Sequence, residues 1–215
     1  MTMRVKICGL GRADEVELCE GADMIGVVIE APRSPRSRDW PTARSIFSAA
    51  EGRFLRVAVL VRPDADTVRR SFDEGADQAQ IHGGIPSGLE EDELLRLIPS
   101  IPMPRAGGGR LPPGFAKAWE GPFPLVHLDT RSERGEGGTG TSWDWSLGPP
   151  NRPVRARPFL VAGGLTAENV GEAIRLLHPW GVDVSTGVEA RPGVKDGGLI
   201  RSFLTAVRAA EDLDA

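Results

Sequence analysis

Two glycine loops near the C-terminus constrain the fold of this chain more than any other feature. Ala162-Gly163-Gly164-Leu165-Thr166 follows an apolar run at 158–161, and Ser185-Thr186-Gly187 follows another at 181–184. An apolar strand that empties into a glycine-rich turn, with a helix beyond, presents free backbone N–H groups and a positive helix end. That arrangement suits a phosphate. Two of them on consecutive strands match the seventh and eighth loops of a (β/α)8 barrel, where such barrels hold phosphate.

The rest of the chain supports eight βα units. Short β-like runs fall at 4–8, 24–29, 55–61, 78–82, 101–106, 124–129, 158–161 and 182–185, and helix-like segments separate them. This alternation predicts a parallel sheet, and eight strands fit a closed barrel better than an open sheet. Pro102 and Pro104 argue against a well-paired fifth strand. Helices are expected at 13–20, 41–50, 65–74, 90–97, 166–177 and 200–211, with Asp64 and Thr166 as N-caps. Residues 131–157 are rich in Gly and Pro. They predict a long loop after the sixth strand and a short or irregular sixth helix around 143–147. We expect one barrel domain over 1–215, a TIM barrel without insertions.

Composition removes several function classes. The net charge is −4, and all of the 26 basic residues except Lys6, Lys117 and Lys195 are Arg. A mildly acidic chain has no bulk attraction for nucleic acid, although a local Arg can still hold a small anion. No apolar stretch approaches membrane-spanning length, and the N-terminus lacks a secretory segment. Cys8 and Cys19 fall in different contexts, a strand end and a helix, so a reduced, cytoplasmic protein is expected.

Alternation along strands then selects the chemistry. If Cys8 ends the first strand pointing inward, Lys6 and Arg4 share its face. If Asp129 ends the sixth strand inward, His127 and Leu125 do too. Active sites of these barrels lie at the C-terminal strand ends, so a thiol and a carboxyl would face one substrate as an acid/base pair. A lone Cys on an apolar strand is usually core, but its place before Gly9 at a strand end favours a functional role. Asp129-Thr130 reads equally as a turn cap, and Cys19 as core. Strands one and eight neighbour each other in a closed barrel. Lys6 and Asp183 should therefore lie at similar depth and form a buried ion pair, unless Lys6 faces Asp129 or reaches solvent. No metal cluster is visible, because His82 and His127 alone do not make a site.

Taken together, the motifs resemble one family. Val5-Lys6-Ile7-Cys8-Gly9-Leu10 looks like the opening motif of the phosphoribosylanthranilate isomerases. The likeness continues through Ser34-Pro35-Arg36, Gln80-Ile81-His82-Gly83, Leu128-Asp129-Thr130, Gly137-Gly138-Thr139-Gly140, Trp143-Asp144-Trp145 and Ala162-Gly163-Gly164-Leu165. It ends with Gly181 to Glu189 and Pro192-Gly193-Val194-Lys195-Asp196. Each motif is weak alone, and their common order over the whole chain is specific.

The resemblance implies an Amadori rearrangement of a phosphosugar substrate in tryptophan biosynthesis, with no cofactor. It implies Asp129 as general acid at the ring oxygen and Cys8 as general base at C2′ of the sugar. Arg36 would bind the anthranilate carboxylate, with Arg33 and Arg38 solvated or able to substitute. The phosphate would sit on Gly163, Gly164, Ser185, Thr186 and Gly187. His82, Lys6 and Asp183 are further candidates, and association with other tryptophan-pathway enzymes fits the same reading. Three departures stand out. Val27 and Ile29 replace aromatic residues of the family, and the loop to Ser34-Pro35-Arg36 looks one residue longer, which leaves open how the anthranilate ring packs. Gly84-Ile85-Pro86 replaces an acidic position after His82-Gly83, so His82 reads equally as structural. Histidine-pathway isomerases and pentose-phosphate epimerases share the phosphate loops, but the former carry a carboxylate where Cys8 stands. A barrel that binds a phosphorylated ligand without catalysis is the remaining alternative.

Overall fold

Strict alternation in β1 (Arg4–Cys8) sets the architecture. Val5 and Ile7 are fully buried on one face, and Lys6 and Cys8 are buried on the other. Both faces are covered, as in a parallel barrel wrapped by helices. In the computed structural model, which describes residues 2–104, 114–130, 143, 145 and 157–213, β1 is joined in chain order by β2 (Met24–Ile29), β3 (Ser37–Arg38), β4 (Leu55–Val61), β5 (Gln78–His82), β6 (Leu97–Met103), β7 (Val126–Thr130), β8 (Phe159–Val161) and β9 (Gly181–Val184). They pair in parallel in the order β1-β9-β8-β7-β6-β5-β4-β2, and β1 also pairs with β2. The eight long strands therefore close on themselves, with β3 added beside β2.

The connections are a 3₁₀ helix (Ala13–Cys19), α1 (Trp40–Ala50), α2 (Ala65–Asp73), α3 (Glu91–Leu94), α4 (Phe115–Glu120), α5 (Val170–Leu177) and α6 (Gly197–Leu213). The core splits in two. Outward strand residues such as Val5, Ile7, Ile25 and Val27 pack against Ile46, Phe47, Ile174 and Phe203 of the helices. A smaller cluster of Cys8, Met24, Val28, Val57, Val59, Ile98, Leu125 and Leu160 fills the barrel interior.

Several expectations are corrected. The fifth run begins at Leu97, four residues early, and its prolines do not stop it. Leu97–Ser100 pair with β5 and Ser100–Met103 with β7, so each proline forfeits only its own N–H while the ladder continues around it. The early start truncates the expected helix at 90–97 to Glu91–Leu94, opened by a capping box between Glu90 and Glu93. The helix expected from Thr166 begins at Val170, with Asn169 at its N-cap, whereas Asp64 caps α2 through Thr67 N–H as expected. Helix α4 was not anticipated, although Phe115 and Trp119, four apart and stacked, are its apolar stripe. Residues 105–106 of the expected fifth strand, and the loop and irregular helix expected within 131–157, lie outside the described residues apart from Trp143, Trp145 and Arg157.

A buried carboxylate fastens the segment after β1. Glu15 is 2% exposed and accepts from Gly11 N–H at 2.6 Å and Lys195 N–H at 3.1 Å. We predict that Glu15→Ala lowers the unfolding free energy by about 1–3 kcal/mol for each N–H it strands. Urea unfolding followed by Trp fluorescence measures this, and a change below about 0.5 kcal/mol, typical of a neutral surface site, would contradict it.

Candidate active site

The C-terminal ends of the strands surround a cavity of about 430 Å3. Cys8, Arg36, His82, Asp129, Gly163, Gly164, Asp183, Ser185, Thr186 and Gly187 all line it. The structure thus brings together at one rim every sequence-derived candidate except Lys6, which lies just beneath. The apolar part of the lining includes Val28, Ala31, Pro32, Val59 and Val61. Val27 and Ile29, which stand where the resemblance expects aromatic residues, point the other way, into the core under the helices.

Beneath the thiol lies a hydrogen-bonded floor. Lys6 and Asp183 are partners in the β1–β9 register, and Lys6 Nζ stands 3.0 Å from Asp183 Oδ2 with the side chains 0% and 5% exposed. This is the ion pair that neighbouring strands at equal depth require. The same carboxylate oxygen accepts from His127 Nε2 at 2.9 Å. Ser100 Oγ lies 2.9 Å from His127 Nδ1. Gln80 Nε2 lies 2.9 Å from His82 Nε2 and 3.4 Å from His127 Nδ1. The Gln80 amide is placed to donate to His82 Nε2, which accepts when that ring is neutral. Burial, then His127 and Lys6, push His82 down to about 3, which keeps it neutral.

Charge distribution follows from burial and these neighbours. Burial alone would raise Asp183, but Lys6 and His127 hold it below the usual carboxylate range. Burial opposes the Lys6 ammonium, yet Asp183 and Cys8 keep it above its ordinary value. Gly26 faces Cys8 across the strands, and a Cβ there would lie 3.0 Å from Cys8 Sγ and 3.1 Å from Lys6 Nζ. The absence of a side chain lets the thiol and ammonium approach. Burial still pushes the Cys8 thiol up, with Lys6 and Lys195 pulling against it. Burial also raises Asp129, opposed by His127 and reinforced by Asp183. Asp129 Oδ1 accepts from Thr130 N–H at 2.7 Å, with both residues within β7, so the carboxyl reaches the cavity from a strand end and caps no turn among the described residues. Cys19 is buried, pushed up to about 12 by its apolar surroundings, and unpaired with Cys8.

The two glycine loops form one wall. Gly163 has φ of 89°, and a Cβ there would lie 2.1 Å from Thr130 Oγ1, so only glycine fits both the conformation and the space. Asn169, missed from sequence, laces this loop: it accepts from Thr166 N–H at 2.8 Å and donates to Gly164 C=O at 2.9 Å. Trp143 Nε1 donates to Ala162 C=O at 3.2 Å. The N–H groups of Gly163 and Gly164 make no hydrogen bond among the described residues, so they remain available to an anion.

Arg36 is buried and not free. Its Nε and Nη2 each lie 2.7 Å from an oxygen of Glu189, and Nη2 also reaches Thr186 Oγ1 at 3.1 Å. Glu189 and Lys195, which stood in recognisable motifs without a role, lie 2.9 Å apart. Arg38 is partly exposed and does not line the cavity. It clamps the loop by donating to Gly11, Ser37 and Gly193 carbonyls.

The floor pair yields a stability prediction. Lys6→Met leaves the Asp183 carboxylate buried beside His127 alone, and we expect a loss of about 3–5 kcal/mol in chemical denaturation. Lys6→Met with Asp183→Leu should recover part of it. Equal stability of Lys6→Met and wild type would show that the pair is not a structural element.

With the geometry in place, comparison with known proteins is direct. The family profile described as N-(5'phosphoribosyl)anthranilate (PRA) isomerase matches residues 5–206. A curated relative of that name from Rhodopseudomonas palustris (strain BisB18) is 38% identical, covering 99% of each chain. The crystal structure of phosphoribosyl anthranilate isomerase from Thermotoga maritima superposes with a TM-score of 0.77 at 31% identity, covering 97% of this chain and 100% of that one. Another PRA isomerase, solved in complex with reduced 1-(o-carboxyphenylamino)-1-deoxyribulose 5-phosphate, gives 0.73 at 28% identity, covering 97% and 100%. A closed barrel whose candidate site residues line one rim, matched end to end by these relatives, places the chain in the N-(5′-phosphoribosyl)anthranilate isomerase family, isomerases of tryptophan biosynthesis.

Proposed function

We propose that this site converts N-(5′-phosphoribosyl)anthranilate to 1-(2-carboxyphenylamino)-1-deoxyribulose 5-phosphate by an Amadori rearrangement, with Asp129 as acid and Cys8 as base. The observation that carries the reading is the opening of both groups into one cavity beside the unbonded N–H groups of Gly163 and Gly164. The phosphate anchors there and on the Ser185-Thr186-Gly187 turn, which fixes the sugar between the thiol and the carboxyl. Asp129 protonates the ribose ring oxygen, the ring opens, and a Schiff base forms at C1′. The Cys8 thiolate takes the proton from C2′, and the resulting enol-amine tautomerises to the amino-ketose. C1′ is reduced and C2′ oxidised within one molecule, so the reaction balances without a cofactor, as an intramolecular oxidoreduction. Arg36 offers its remaining N–H groups to the anthranilate carboxylate, and Val28 and Val59 supply an apolar surface for the ring. Asp183 Oδ1, buried and without a partner among the described residues, is an acceptor for a sugar hydroxyl. A chain of this composition works in the cytoplasm.

Both working groups are shifted upward, and this decides the protonation logic. The raised carboxyl suits an acid. The raised thiol is the opposite of the lowered pKa that suits a base. The working form, thiolate with protonated Asp129, holds as many protons as the dominant form with thiol and carboxylate. Its fraction is therefore constant between the two pKa values. Activity falls below the Asp129 pKa and above the Cys8 pKa.

Two measurements test the reading. Cys8→Ala and Asp129→Asn should each lower kcat by about 10²–10⁴-fold while leaving affinity for the reduced product analogue nearly unchanged. Full turnover in either variant would remove that residue from the mechanism, and absence of turnover in wild type would favour the binding-module alternative. The pH profile of kcat/KM should be a bell with its acid limb above about 3.9 and its alkaline limb above about 8.5, the ordinary carboxyl and thiol values. Limbs at or below those values would contradict the shifts.

A further inference from the structure

We propose that Glu189, itself held by Lys195, is a positioning residue that grips one edge of Arg36 and turns the other toward the cavity for the anthranilate carboxylate. This inference rests on the carboxylate role of Arg36 proposed above.

A guanidinium has a side-on edge, Nε with Nη2, and an end-on edge, Nη1 with the second hydrogen of Nη2. Glu189 takes the whole side-on edge, with both contacts at 2.7 Å. That fork is the strong, geometrically specific form of an Arg–carboxylate pair. The end-on edge is left for a ligand, and its Nη2 hydrogen points at the Thr186 hydroxyl, 3.1 Å away on the Ser185-Thr186-Gly187 turn. A carboxylate arriving end-on would take both Nη1 and Nη2 and replace that single neutral contact with two charged ones.

The surroundings fix Glu189 itself. It opens a hairpin of β10 (Glu189–Arg191) and β11 (Val194–Lys195), in register with Lys195. Lys195 Nζ donates to Glu189 Oε1 at 2.9 Å and to Ser185 C=O at 3.1 Å, which ties the hairpin to the phosphate turn. The hairpin tip rests on the loop that carries Arg36: a Cβ on Gly193 would lie 2.6 Å from Pro35 C=O, and Arg38 Nη2 donates to Gly193 C=O at 3.2 Å. One hairpin therefore fixes the phosphate turn and the arginine relative to each other, which sets the span between the two anionic ends of the substrate.

Charge points the same way. Arg36, Glu189 and Lys195 side chains are 7%, 2% and 0% exposed, so the cluster buries two cations with one anion. Burial of an uncompensated charge is costly. A carboxylate on the open edge of Arg36 would balance it.

The test compares two substrates, phosphoribosyl anthranilate and its aniline analogue that lacks the carboxylate. Glu189→Gln keeps the volume and deletes the charge. On the natural substrate it should raise KM by about 10- to 100-fold with kcat nearly kept, and on the aniline analogue it should change kcat/KM by about threefold or less. Arg36→Ala should show the same selectivity. Glu189→Asp keeps the buried charge at shorter reach, and it should show a smaller loss of the same selectivity. It replaces the Gln variant if that variant does not fold. Equal losses on both substrates in the Glu189 variants, with Arg36→Ala still selective, would make Glu189 a structural residue and overturn the inference alone. Equal losses in Arg36→Ala would overturn the carboxylate role, and the inference with it.

Discussion

A buried ammonium beside a buried carboxylate is the interaction on which the rest of this site depends. The lower barrel interior is apolar, filled by Met24, Val57, Ile98, Leu125 and Leu160. The upper rim must be polar to do chemistry. Lys6 and Asp183, with His127 bonded to the same oxygen, form the boundary between these layers. A lone charge at this depth would be driven to neutrality. The pair keeps both ions charged under a thiol that Lys6 touches from below. Its position follows from barrel closure, which brings the first and last strands together in register.

Above that floor, recognition and chemistry are divided among different parts of the fold. Strand ends supply Cys8 and Asp129, each still in register with one neighbouring strand. The proposed anion contacts come from loops, and each loop is braced by residues that do not line the cavity. Asn169 laces the first glycine loop, and Lys195 holds the second. Glu15, buried under the segment after β1, accepts from the backbone of Lys195. The bracing is polar and buried, where a hydrogen bond to a charged group is strongest and a missing partner most costly.

Much of this was legible in the sequence, for identifiable reasons. Strands buried on both faces must be short apolar runs, and β1, β2, β4 and β5 begin and end where those runs do. The strand β6 was displaced because its prolines argue locally against pairing, whereas a ladder bonded on two sides tolerates their missing donors. Helix α4 was missed because its six residues give only one apolar pair. Cys8, Asp129 and the glycine loops could be placed because alternation and strand ends fix where such residues point. Glu189 and Lys195 could not, since their role arises from a two-strand hairpin folding back on the loop of Arg36. No periodicity within either segment reports that contact. The expectation that Arg36 binds a substrate carboxylate came from the resemblance, and its grip along one edge by Glu189 was not legible.

The central claim is that thiol and carboxyl work on one sugar whose phosphate sits on the glycine loops. The most direct measurement is a crystal structure of this protein with the reduced product analogue bound. The account predicts the phosphate on the Gly163, Gly164 and Gly187 N–H groups, the Cys8 sulfur against C2′, and Asp129 within hydrogen-bond reach of the oxygen released from the ring. An analogue whose phosphate lies away from those loops, or whose C2′ lies beyond the reach of Cys8, would contradict it.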